Sequence, residues 1–593
     1  MNVRRTETPV APLAAVSVAS LAAAVRAPVT PAASGFDGAT ASSQTLLARA
    51  ENGQTRITQS ILPGDMYPVA PGPLALTSPA AQKAIASTQQ FLVLNLGLGG
   101  TGQGTPEFQP RAVEMDVLGM THVRMDRLQD GLKVFGEQVV AHLDVDGNVL
   151  SLTGGEGLSS IPANVSGAAC VRTPAEALAK ATATFGRASQ HAPVVEQVLF
   201  QKADGSYTKA YRVEVTDFTT ARPERMNYMV DGATGEILDQ WNQMGGIELP
   251  KNQGDLVGRP GNQGTGTGEA GADDRSLYSG QVEIGATQNA DGGWTLNDTG
   301  RGKGVETRDA NNKSSGNGST PITDQNNLWG EVSDSPRSHA AVDAQYGAQM
   351  TYDMYRQVLG RDSIDGKGEK LLSNVHVRSN YVNAFWDGKQ MSYGDGDGKT
   401  SGPLTTLDIA GHEISHGLTE RTAGLIYRNE SGGINESMSD ILGTGVEWFA
   451  SQKNSAVKFD WTLGEDCWTP NNGDATDGLR YMNDPTKDRY SIDHYSNYPK
   501  QTEVHGSSGI MNNAFFLLAE GGTNRTSRIE VQGGVGVEKG LQIYGRALMF
   551  YMTPNTTFAQ AREATVKAAT DLFGADSVEV RLVRESWTAV GVN

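Results

Sequence analysis

The stretch His412-Glu413-Ile414-Ser415-His416 sets two imidazoles four residues apart with a carboxylate between them. At about 100° per residue, helical positions four apart project from nearly the same face. Two histidines so placed can meet one Zn2+ at about 2.0–2.1 Å. Glu413 can then reach a water held by that metal and act as general base. The run from Leu407 to Leu418 can supply the helix. The plain alternative is an exposed helix in which the spacing is coincidence, so the neighbourhood has to decide.

A catalytic zinc needs a third protein ligand and an open position. Continuation of the motif to a glycine at 419 and a histidine at 422 is ruled out, because both positions are threonine. A second helical pattern, Gly433 to Asp440, offers Glu436 instead. Asp440, one turn further on the same face, can accept the free ring N–H of a liganding histidine and fix its tautomer. Taken alone, Glu436 and Asp440 read as an ordinary polar helix face; beside 412–416 they complete a site.

These helices sit late in a chain of 593 residues, long enough for several domains. Residues 1–79, rich in Ala, Pro, Thr and Ser, read as a leader and disordered linker. Arg4 and Arg5 precede an Ala-rich stretch, Ala11 to Val25, that makes a weak export signal. A helix is expected from Ala80 to Leu96, then a Gly-rich turn at 97–104. Strand-like runs follow at Thr121 to Met125 and Val139 to Asp144, closed by the Asp146-Gly147 turn. Residues 174–185 read as helix. Further strands are expected at Ala210 to Val215, at Met226 to Val230 and after the 231–235 turn. Residues 80–160 and 161–244 thus form one small α+β unit or two. Gly245 to Asp274 is dense in Gly, Asn and Gln, a linker of the kind proteases cut. Beyond it, about 320 residues begin with strand-like segments, Gln281 to Gly285 and Gly293 to Asn297, and end in helices.

Bulk properties narrow the classes. A formal charge of −18 argues against nucleic-acid binding. The two cysteines, Cys170 and Cys467, build neither a disulfide framework nor a thiolate zinc site. No apolar run reaches membrane-spanning length.

Several motifs then resemble one family. Gly424 to Gly432, running on through Asn435-Glu436 to Asp440, is similar to the thermolysin family of metallopeptidases. So are Asn383-Ala384-Phe385-Trp386 with Tyr393 to Gly398, Leu479-Arg480-Tyr481-Met482 with Asp484-Pro485, and Val504-His505 with Ser508-Gly509. They keep the family's order over residues 275–593. The resemblance implies an α+β fold with two lobes. A β-rich N-terminal lobe (275–415) and a helical C-terminal lobe (416–593) flank a zinc cleft.

The resemblance also implies roles. Tyr427 and His505 donate to the oxyanion. Arg480 binds the carbonyl beyond the scissile bond. Asn383 and the Ala384 backbone hold an extended peptide. Ile409 and Leu479 help form a pocket for a bulky apolar residue after the cut. Where the family orients its late histidine with an Asp shortly before it, the nearest candidate in this chain is Glu503, two residues before His505. Asp408, Glu447, Asp460 and Glu465 match structural Ca2+ positions, and Thr462 replaces one further carboxylate, so one calcium is expected beside one catalytic zinc. Thr121 to Arg124, Phe135-Gly136 and His142 to Asp144 resemble the fungalysin/thermolysin propeptide, and Tyr211 to Trp241 resembles a PepSY module. The implied protein is a secreted, monomeric zinc endopeptidase acting on proteins and peptides. Its own propeptide serves as inhibitor and folding aid. An aminopeptidase, or a non-catalytic binding protein that keeps the fold, are the alternatives. The first needs a carboxylate anchoring the substrate's amino terminus, and the second is expected to have lost Glu413 or a ligand.

Overall fold

The computed structural model describes residues 47–49, 55–57, 72–96, 107–154, 161, 170–220, 222–246, 276–314, 318–331, 337–468 and 477–593. The expected leader to residue 71, the turn at 97–104 and most of the Gly-rich linker lie outside the described residues, apart from a short hairpin of Leu47–Arg49 with Thr55–Ile57.

The first half folds around a nine-stranded sheet. Its long strands each include β-branched or aromatic residues. Among them are Thr121–Gln129, Leu132–Leu143, Tyr207–Asp217 and Glu224–Asp231. The strands of 107–153 and those of 194–242 join into this one sheet through a parallel pairing of Lys133 and Val134 with Val198 and Leu199. Two helices, Pro79–Leu96 and Pro174–Phe185, bury apolar faces on it. The second helix begins at a capping box between Thr173 and Glu176 and ends at Gly186 in the left-handed region, which is why its limits were legible. Gly72–Leu74, assigned to the leader from sequence, is the edge strand of the sheet, paired with Val113 to Met115.

The second half opens with a seven-stranded sheet containing Val305–Asp309, Leu371–Val375, Met391–Tyr393 and Ala384–Trp386. Gln281 to Gly285, expected as a strand, forms none. Side chains of the helix Ser338–Val358 satisfy the Gly285 backbone instead: Gln349 accepts from its N–H and Gln345 donates to its carbonyl. Gly293 to Asn297 holds only two-residue strands. Helices follow: Leu407–Arg421, Asn429–Ser451, Gly509–Glu520, Val537–Arg546, Phe558–Phe573 and Val578–Ala589. The helix Leu407–Arg421 runs unbroken through 415 and 416, where the sequence suggested the lobes divide.

That helix and Asn429–Ser451 cross at Gly411 and Gly443. A methyl group on Gly443 would stand 2.4 Å from the Asp408 carbonyl, and one on Gly411 would stand 2.9 Å from the Gly443 Cα. Both crossing residues must therefore lack a side chain, and the close approach sets the distance between the two faces that carry the site. Among the described residues no helix is long and apolar enough to cross a membrane.

Candidate active site

His412, Glu413 and His416 lie on Leu407–Arg421, which has Asp408 in its first turn and Arg421 in its last, a charge order that suits the helix dipole. Glu436 and Asp440 face them from Asn429–Ser451. All five are buried. His412 Nδ1 meets Asp440 Oδ1 at 2.8 Å and His416 Nδ1 meets Asn435 Oδ1 at 2.8 Å. Each of these oxygens accepts, so each Nδ1 carries the proton and each Nε2 is left with its lone pair. The two Nε2 atoms are 3.0 Å apart, and Glu436 oxygens stand 3.6 and 3.4 Å from them.

Burial pushes both imidazoles down to about 4, which keeps them neutral at ordinary pH, the form that could ligate a cation. Glu436 Oε2 is buried and makes no hydrogen bond. Two lone pairs and a carboxylate turned on one point repel unless a cation joins them. Tetrahedral ligands at 2.0–2.1 Å stand about 3.3 Å apart, close to the spacings here. The residues fit zinc.

The ligands are held from behind. Asp440 also accepts two hydrogen bonds from Arg480, at 2.8 and 2.6 Å, and one from Asn512 at 2.8 Å. Burial alone would raise the Asp440 carboxyl, but Arg480 and His412 hold it well below the usual range. Sequence reading found Asp440 and Arg480 but missed Asn435 and Asn512. Asn435 stands next to Glu436 in the motif and had that local signal; Asn512 is brought in by tertiary packing and had none.

His505 lies across the cleft in the short helix Val504–Ser507. Its Nδ1 donates to Glu503 at 2.8 Å, and Glu503 also caps the helix and accepts from Tyr490. The longer side chain therefore reaches the orienting position. Burial disfavours the charge on His505, yet Glu436 and Glu503 outweigh it and push the imidazole up to about 10. Tyr427 donates to Glu436 and lies 3.2 Å from His505 Nε2.

Gly245–Gly246 pairs antiparallel with Ala384–Trp386 as the edge strand of the seven-stranded sheet. The Gly246 carbonyl accepts from His505 Nε2 at 2.8 Å. A methyl group on Gly245 would stand 2.6 Å from the His416 ring, so only glycine passes there. Asn383 lines the same cleft, its Oδ1 buried and without a hydrogen bond. Ile409 and Leu479 are buried together beside Gly464.

The expected calcium residues separate partly. Glu447, Glu465 and Asp466 bring carboxylate oxygens within 4.8 Å of one another. Burial and the neighbouring carboxylates push Glu465 up to about 10. Glu465 Oε2 is buried without a hydrogen bond. Asp408 is close by but already accepts from Thr406, Ile409 N and Gly464 N, and Asp460 from Thr462 N. Asp466, adjacent to Glu465 in sequence, was missed.

Three family models match the chain: the fungalysin/thermolysin propeptide motif over 106–155, the thermolysin metallopeptidase catalytic domain over 271–420, and its alpha-helical domain over 423–592. Thermolysin of Bacillus sp. (strain EA1) is 38% identical over 508 residues, 83% of this chain and 87% of that protein. Bacillolysin of Brevibacillus brevis is 37% identical over 486 residues, 79% and 82% of the two chains. Bacillolysin of Bacillus cereus is 34% identical over 588 residues, 94% and 96%. These matches and the geometry agree: the chain belongs to the thermolysin family of metallopeptidases, a zinc endopeptidase made as a precursor with the family's propeptide motif ahead of its catalytic domain.

Proposed function

We propose that His412, His416 and Glu436 hold the zinc and that Glu413 is the general base of peptide hydrolysis. When bound, zinc supplies Lewis acidity to the scissile carbonyl and acidifies water. Glu413 takes a proton from the attacking water and passes it to the leaving amine. His505 and Tyr427 donate to the carbonyl oxygen as negative charge develops on it. Arg480 binds the next carbonyl. The Ala384 backbone pairs with the peptide as an added strand, and Asn383 Oδ1 accepts from a peptide N–H. Ile409 and Leu479 favour a bulky apolar residue after the cut.

The single observation that carries this reading is the strand Gly245–Gly246, whose carbonyl already sits on His505 within the ring of site residues. It also supports a position for the processing cut at the start of the stretch 245–274. The first bond cut is the one that follows Gly246, and the next residue by sequence, Ile247, is bulky and apolar. Purified wild-type precursor should mature to a chain beginning at Ile247, while Glu413→Gln stays intact. N-terminal sequencing checks this. A mature chain beginning elsewhere contradicts the position, and cutting in the variant contradicts the mechanism.

Calcium at Glu447, Glu465 and Asp466, with Asp408 and Asp460 beside them, explains why mutually repelling carboxylates converge around the buried Glu447 and Asp408. Removing calcium in a zinc-buffered solution should lower the Tm of the matured protein by about 6 °C, the equivalent of roughly 4 kcal/mol of linked binding. Restored calcium should reverse it; an unchanged Tm contradicts the site. The Arg4-Arg5 and Ala11 to Val25 segment supports export.

A further inference from the structure

The propeptide carries two histidines that the catalytic reading leaves unused. His122 on Thr121–Gln129 and His142 on Leu132–Leu143 are cross-strand partners, both buried. Their Nδ1 atoms are 2.8 Å apart. His122 Nε2 meets Asp116 Oδ2 at 2.8 Å, and His142 Nε2 meets Thr153 Oγ1 at 2.9 Å.

The pair is pressed against the helical lobe of the catalytic domain. His122 stacks on Phe550 with ring centres 4.1 Å apart, and His142 stacks on Tyr551 at 4.2 Å. Asp116 accepts from Arg546 at 2.6 Å, and Arg546 and Tyr551 both donate to Asp571. Arg124, beside the pair on the propeptide strand, donates to the carbonyls of Met549 and Met552.

The proton count of this contact is limited by geometry. An Nδ1–Nδ1 hydrogen bond holds one proton between two rings, so the pair accommodates at most three ring protons. A fourth would set two N–H groups face to face and bury two like charges. Separated from the lobe, the His142 ring loses its stack on Tyr551 and is free to turn out of this contact and charge at the ordinary imidazole value, about 6.5. The groups facing the pair are Asp116, Arg124, Arg546, Lys567, Asp571 and Tyr551. Among these side-chain types, none but imidazole ordinarily changes charge between pH 5 and 8.

We propose that the His122–His142 pair is an acid-labile latch, so that acid loosens the propeptide from the Phe550–Tyr551 face of the catalytic domain. Burial, His122 and the cations Lys567, Arg546 and Arg124 hold His142 well below its ordinary range, which fits. The sign follows: docking is full above about pH 6.5 and weakens below it, because the undocked state binds one more proton. The docking constant falls up to tenfold per pH unit, roughly thirtyfold by pH 5. This holds whichever peptides the cleft cleaves, and whichever bond is cut in processing.

The test uses full-length Glu413→Gln precursor, which keeps the contact intramolecular. Amide hydrogen exchange, corrected for intrinsic rates, should give opening constants for 121–129 and 547–552 that rise together, roughly thirtyfold from pH 7.5 to pH 5.0. The strand Tyr207–Asp217 should not change. In the same samples, exchange at the imidazole C2 carbon should show no titration of His142 between pH 5 and 8. His142→Gln in this background should flatten the pH dependence. Opening constants equal at both pH values, or His142 titrating near 6.5 in the docked protein, would overturn the latch. The two wild-type-site readouts decide it even where the His142 variant does not fold.

Discussion

Glu413→Gln should lower hydrolysis of a protein substrate by roughly a thousandfold, within the range expected for a lost general base, while the chain still takes up one zinc. Glutamine keeps the shape of the buried side chain but cannot accept the proton of the attacking water. The ligands His412, His416 and Glu436 and their supports Asp440 and Asn435 are untouched. The variant therefore separates chemistry from metal binding. Equal activity in variant and wild type at matched zinc content contradicts the role; loss of zinc together with activity shows that Glu413 acts through the metal site instead.

Asp440→Ala should be the most damaging substitution outside the ligands. Asp440 accepts from His412 Nδ1, twice from Arg480 and once from Asn512, all buried. Its removal leaves the Arg480 guanidinium buried without its principal counter-charge, at a cost of about 3–5 kcal/mol. It also frees the His412 ring to turn and change tautomer, which lowers metal affinity about 10–100-fold. Urea unfolding and zinc competition measure the two effects separately. Asp440→Asn keeps a hydrogen-bond acceptor for His412, so it should recover more zinc affinity than stability. Wild-type values on both measurements contradict the account.

Both predictions rest on residues that sequence alone brought out, and the reason is local. His412, Glu413 and His416 share one helix face, and Glu436 and Asp440 share another, so periodicity alone groups each set. What periodicity does not carry is how the two faces meet. That depends on the glycine crossing at Gly411 and Gly443, which a sequence shows only as two small residues in two helices. The same limit hid Asn512, which reaches Asp440 from a helix that begins 69 residues after it.

The first half was legible as strands and helices, with the helix 174–185 fixed by its caps. It was not legible as one sheet, because the parallel pairing of Lys133 with Val198 joins segments far apart in sequence. Gly245–Gly246 shows the sharpest difference. By composition it opens a linker, and glycine has low strand propensity. It is nonetheless a strand, because the open edge at Ala384–Trp386 supplies its hydrogen bonds and the His416 ring leaves no room for a side chain. Gln281 to Gly285 errs the other way: its residues suit a strand, but Gln345 and Gln349 take up the Gly285 backbone.

The most direct test of a zinc endopeptidase at His412, His416 and Glu436 is a zinc titration of metal-free, matured protein. Hydrolysis of an N-blocked, internally quenched peptide is followed as zinc is added. The account predicts that activity rises to a plateau at one equivalent, with cutting before bulky apolar residues. It also predicts that His416→Ala neither binds that equivalent tightly nor cleaves. Full activity without zinc, an unaltered titration in His416→Ala, or release of single residues from unblocked peptides alone would contradict it.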